Sequence, residues 1–101
     1  MKISTEILEE IFEVIEDRKE NPLEESYVSY LMSEGREKIL AKVDEESREL
    51  QEASREEGRP EIIHESADTI FHVMVLLAYH GISFEEVMEE LRGRRKPRES
   101  E

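Results

Sequence analysis

A chain of 101 residues allows one small domain with a modest core, a size often helped by oligomerisation. It has no cysteine, which excludes disulfides and thiolate metal sites and fits a reducing, cytoplasmic setting. A net charge of −13 argues against a nucleic-acid partner, and against any polyphosphate ligand unless a bound cation neutralises part of its site.

Every segment reads as helix, since none alternates with period 2 over strand length. Residues 5–19 set Leu8, Ile11, Phe12 and Ile15 on one stripe, with Ser4 or Thr5 to cap the start. Pro22 breaks this helix by disfavouring helical backbone at Asn21. A short helix over 26–33 carries Tyr27, Tyr30 and Leu31, and Gly35 is its natural stop. The third helix runs from about Arg36 to Glu57, with Ile39, Val43, Leu50 and Ala53 at buried-stripe spacing and Gly58 as its end. Pro60 is suited to the first position of the fourth helix. There Ile63, Ala67, Ile70, Met74 and Leu77 form the expected inner stripe, with Glu61, Glu65, Asp68 and His72 in a row beside it. Gly81 stops that helix, Ser83 and Glu86 make a capping box, and Val87, Met88 and Leu91 give the fifth helix an inner face.

These elements predict an all-α fold, a small helical bundle of four to five helices with short connections, completed by dimerisation. Residues 1–95 form its single domain, and residues 96–101 form a flexible tail. Five bases lie within Arg92–Arg98, leaving nine bases against 27 acids, or −18, in the rest of the chain. That end reads as a solubilising one rather than a polyanion site. The N-terminus lacks the apolar core of a signal peptide. The longest near-apolar stretch, Ile70 to Tyr79, is interrupted by His72 and too short to span a membrane.

Two acidic motifs carry the chemistry. Glu45-Glu46-Ser47-Arg48-Glu49 and Glu65-Ser66-Ala67-Asp68 each place carboxylates at i and i+3 on one helical face. With the two helices antiparallel, Glu46, Glu49, Glu65 and Asp68 converge into an all-oxygen cage of the kind that suits Mg²⁺. With 27 acidic residues, such pairs also arise by chance on solvated faces, as in Glu6/Glu9 and Glu10/Glu13. Glu46 differs from those because it sits where the stripe of the third helix calls for an apolar residue, and a carboxylate there is costly unless paired or bound to a cation. Lys38 and Lys42 suit either helix-surface pairing or a phosphate, and His72 suits either a packed core or a site-facing role. No nucleophile–base arrangement and no glycine-rich phosphate loop is present, so any hydrolysis rests on a metal-activated water.

The order Glu45-Glu46-x-x-Glu49 then Glu65-x-x-Asp68 resembles the signature of the MazG-like all-α nucleotide pyrophosphohydrolases. Ser26-Tyr27, Glu37-Lys38-Ile39-Leu40-Ala41-Lys42-Val43, Ala67 to Leu77, Gly81-Ile82-Ser83 and Val87-x-x-Glu90-Leu91 extend the likeness to the phosphoribosyl-ATP pyrophosphatase branch, over about Leu8 to Arg95. The resemblance implies hydrolysis of 1-(5-phosphoribosyl)-ATP to the AMP derivative and pyrophosphate, the second step of histidine biosynthesis, by a cytoplasmic homodimer with active sites near subunit contacts. It implies Mg²⁺ on Glu46, Glu49, Glu65 and Asp68, Glu45 as an adjoining acid or base, Lys38 and Lys42 facing phosphates, and Tyr27 and His72 near the substrate. Asp44 stands where that branch has glycine and Val28 where it has threonine, so Asp44 adds charge next to the cage. The rival readings are a house-cleaning nucleoside triphosphate pyrophosphohydrolase using the same cage, and a non-enzymatic helical interaction module.

Overall fold

The computed structural model describes residues 3–95, so the expected tail at 96–101 lies outside the described residues. The described residues form five helices and no strand: α1 (Glu6–Glu20), α2 (Tyr27–Glu34), α3 (Arg36–Glu56), α4 (Arg59–Tyr79) and α5 (Phe84–Arg94). α3 and α4, of 21 residues each, form a long antiparallel hairpin that carries most of the tertiary contact.

Local chemistry sets the joints. Ser4 Oγ accepts the Glu6 N–H at the start of α1, whereas Thr5, at the cap position, makes no side-chain bond there. The Ser26 hydroxyl accepts the Ser29 N–H to start α2. Gly35 then serves as both the end of α2 and the start of α3. Its φ of 95° and ψ of −176° lie in a region open essentially only to glycine, which lets one residue turn the chain between two helices. Ser83 and Glu86 form the expected reciprocal capping box on α5.

The hairpin tip departs from expectation. Gly58 does not end α3 in the left-handed region; Glu57 does, at φ 56°, with its N–H bonded to Ser54 O and the Gly58 N–H bonded to Ala53 O. This is a Schellman end with a side chain at the position where glycine costs least. Gly58 is extended and caps α4, and Pro60 falls second in that helix rather than first. A Cβ at Gly58 would lie 2.7 Å from Glu61 Oε2, the end of an exposed side chain that can move aside. Glu57→Gly is therefore expected to stabilise the fold by about 1 kcal/mol in chemical denaturation. An unchanged or lower midpoint would contradict the strain reading.

The core lies at the base of the hairpin, where Phe12 and Ile15 of α1, Val28 and Leu31 of α2, and Ile39 of α3 close on Met74, Val75 and Ala78 of α4. Lys19 of α1 donates its ammonium to Ala78 O and ties α1 to the last turn of α4. The outer half of the hairpin lacks this cover. The expected inner stripe of α4 is accordingly only partly internal: Met74 is buried and Leu77 half-buried, but Ile63, Ala67 and Ile70 face solvent. The polar row is what turns toward α3, with His72 buried and Glu65 and Asp68 half-buried. Apolar residues lie on more than one side of α4, so periodicity does not single out the face that meets α3. By length and composition α4 could cross a bilayer, yet its first half carries Glu61, Glu65 and Asp68, which are costly at membrane depth. The expected inner face of α5 is weaker still: Val87 and Met88 are half-buried, Leu91 is exposed, and the helix is held mainly by Phe84 against the Phe12 ring, with centroids 6.0 Å apart.

Candidate active site

Glu46 and Glu49 stand one turn apart in mid-α3, opposite Glu65 in the second turn of α4. One carboxylate oxygen from each of the three lies within 4.8 Å of the others. Glu46 is buried at 7% exposure, as its place on the core stripe predicts. Lys42 Nζ approaches Glu46 Oε1 at 3.4 Å, while Glu46 Oε2 and Glu65 Oε2 are buried with no hydrogen-bond partner. A buried carboxylate oxygen without a donor forfeits its hydration and receives nothing in return. Two such oxygens beside a third carboxylate fit a hard divalent cation.

The acids also act on one another. The Glu49 carboxyl is pushed up to about 7, first by the neighbouring Glu65 carboxyl and then by the charge of Glu46. A carboxyl raised in the folded state adds stability that is fully present below its unfolded value and lost as pH rises through the folded one. In EDTA, the melting temperature should therefore fall as pH is raised from about 4.5 to about 7. Glu49→Gln should flatten that slope; an equal slope in the variant would rule out Glu49 as its source.

Asp68 is not in this trio. Its carboxylate meets His64 Nε2 at 3.2 Å, and His64, Glu65 and Asp68 form a second close group that shares Glu65. His64 is an exposed residue, and its i, i+4 spacing to Asp68 is the sequence signal that singles it out. Asp68 is thus one turn from the trio, joined to it through Glu65.

Lys42 donates to Glu45 as well as facing Glu46, so one ammonium bridges the double glutamate. The Glu45 bond, first among its causes, holds Lys42 above its usual range, and the same bond lowers Glu45. Lys38 is exposed and lies 5.9 Å from the Tyr30 ring centroid, one turn before Lys42. His72 is enclosed: Nδ1 meets Asp68 O at 2.7 Å, and Nε2 meets the Tyr27 hydroxyl at 2.8 Å. His72 therefore reaches the site through Tyr27 rather than by pointing into it.

The two departures from the family pattern are local. Asp44 points to Arg48, at 3.0 Å, and both side chains are largely exposed, so its charge is directed along the outside of α3. Val28 is buried in the core with Leu31 and Ile39, where a threonine hydroxyl would need a partner.

The fold and this site together define an all-α protein whose chemistry-bearing groups are carboxylates and a lysine on a helical hairpin. The family model for phosphoribosyl-ATP pyrophosphohydrolase matches residues 8–95. The phosphoribosyl-ATP pyrophosphatase of Clostridium acetobutylicum is 46% identical over 89 residues, covering 88% of this chain and 81% of that one. That of Bacillus mycoides is 47% identical, over 88% and 83%. The histidine biosynthesis bifunctional protein of Pyrococcus furiosus is 53% identical over 93 residues, which are 92% of this chain and 43% of that one. The chain belongs to the phosphoribosyl-ATP pyrophosphohydrolase family.

Proposed function

We propose that this chain hydrolyses 1-(5-phosphoribosyl)-ATP to 1-(5-phosphoribosyl)-AMP and pyrophosphate in histidine biosynthesis, with Mg²⁺ held by Glu46, Glu49 and Glu65 and, one turn along, Asp68. Family membership supports the reaction. The observation that supports the cation is the pair of buried, unpartnered oxygens on Glu46 and Glu65. When bound, Mg²⁺ supplies the positive charge that the triphosphate and the departing pyrophosphate need, and it makes a nearby water more acidic.

The chain's own groups do the rest. Lys42 lies at the edge of the acidic trio and holds a phosphate as a point charge, with Lys38 a turn away. Glu45 is exposed and ionised beside Lys42. A phosphate that draws Lys42 away removes the partner that lowers Glu45, so Glu45 becomes a better base for the attacking water when substrate is bound.

We place the enzyme in the cytoplasm as a homodimer, with neither nucleic acid nor membrane as partner. The solvent-facing row Ile63, Ala67, Ile70 and Val73 on α4, backing directly onto the site-bearing face, supports the dimer.

The test is pyrophosphate release from phosphoribosyl-ATP and from a panel of nucleoside and deoxynucleoside triphosphates, with Mg²⁺ and with EDTA. Release from phosphoribosyl-ATP, abolished by EDTA, is the expected result. Turnover of deoxynucleotides alone would favour the house-cleaning reading, and full turnover in EDTA would remove the cation.

A further inference from the structure

The Tyr27–His72 pair carries a consequence of hydrogen-bond valence. The Asp68 carbonyl can only accept, so the 2.7 Å contact requires the proton on His72 Nδ1. In the neutral imidazole Nε2 is then a lone pair, and the 2.8 Å contact requires the Tyr27 hydroxyl to donate to it. The imidazole cannot turn to reverse these roles, because it is 5% exposed and packed edge-on against the Phe71 and Tyr27 rings. Having spent its only hydrogen on His72, the Tyr27 oxygen presents nothing but lone pairs to its open side.

That open side lies beside the site, because His72 ties the hydroxyl to Asp68, whose carboxylate groups with Glu65. Tyr27 is 44% exposed. Burial and the Glu46, Glu45 and Asp68 carboxylates keep the phenol above its usual range, against the opposing pull of Lys42, so it holds its proton at neutral pH.

We propose that Tyr27 Oη is a hydrogen-bond acceptor for an O–H group in the reacting complex, and that His72 is a positioning residue that acts only by fixing that polarity. The O–H group comes from the attacking water or from a sugar hydroxyl of the substrate. Either source fits an acceptor, and neither a phosphate oxygen nor a carboxylate does. The proposal rests on the hydrolytic reading of the site and adds a direction to it, because the other groups around the gap are charged.

A double-mutant cycle tests it, using pyrophosphate release from whichever nucleotide the wild type turns over. Failure of wild-type turnover on phosphoribosyl-ATP would count against the proposed substrate, whereas the cycle reads Tyr27 and His72 alone. Tyr27→Phe and His72→Leu should each lower kcat/KM about tenfold, the scale of one neutral hydrogen bond. The double variant should lose no more than either single one. His72→Gln, whose amide oxygen can take the phenol hydrogen, should recover most of the His72→Leu loss and also covers the case in which that variant fails to fold. In the Tyr27→Phe background neither change at position 72 should matter. A fall in kcat assigns the attacking water, and a rise in KM assigns a sugar hydroxyl. Losses that multiply in the double variant, or a Tyr27→Phe enzyme with unchanged kcat/KM, would overturn the proposal.

Discussion

Glu46→Gln is expected to make the protein more stable without a cation and nearly inactive with one. The wild-type carboxylate is buried, has one ammonium contact at 3.4 Å and leaves Oε2 without a donor. An uncharged amide at position 46 removes that unsatisfied charge, keeps a carbonyl for Lys42 and offers N–H donors to Glu49 and Glu65. In EDTA, the gain should be about 1–3 kcal/mol, the usual cost of a buried polar group left unpaired. For a domain of this size that is several degrees in melting temperature, at roughly 4–8 °C per kcal/mol. Adding Mg²⁺ should stabilise the wild type, by about 2.7 kcal/mol at a hundredfold excess over its dissociation constant. It should leave the variant nearly unmoved, so the order of stability reverses. Turnover should drop on the order of 10²–10³-fold, as when one preorganised electrostatic group is lost. Thermal melts with and without Mg²⁺, alongside pyrophosphate release, check both halves. A variant that is less stable in EDTA, or that keeps wild-type turnover, would make Glu46 a structural acid.

The second large effect is expected on assembly. Ile70→Glu should convert a dimer into a folded monomer. Ile70 is 47% exposed in the single chain, in one row with Ile63, Ala67 and Val73, so the substitution costs the isolated fold little. Across a two-fold axis the same patch meets itself, and both copies bring the new charge. Opposed like charges in a desolvated contact cost several kcal/mol, and about 4 kcal/mol is roughly 10³ in dissociation constant. Sedimentation at micromolar protein should therefore show monomer, with helical circular dichroism retained. Turnover should fall with it, because the other side of the same helix carries Glu65 and Asp68. A variant that remains dimeric at the same concentration would place the contact elsewhere on the molecule.

The sequence was sufficient where the signal is local or costly. Helix boundaries followed from Pro22, Gly35, Gly81 and the Ser83–Glu86 box, because each acts within one turn of chain. Glu46 was legible for a different reason: a carboxylate on a core stripe breaks the pattern that the rest of the helix obeys, and it is indeed buried. At the α3–α4 joint the left-handed residue is Glu57, because the closing bonds of α3 run from the Glu57 and Gly58 N–H groups and leave Gly58 extended as the cap of α4.

What the sequence determined by itself was the set of helices and the identity of the acids, both encoded in spacing along one chain. What only the tertiary structure decided was which way α4 faces, which acids share a gap, and where Asp68 and His72 direct their polar atoms. The hairpin turns Glu65 and His72 inward and leaves Ile63 and Ile70 bare. A helix with apolar residues on several sides can bury any of them at similar gain, so its rotation is set by what α3 offers opposite. Here Ile39, with α1 and α2, closes on Met74, Val75 and Ala78, and that packing leaves Glu65 opposite Glu46 and Glu49.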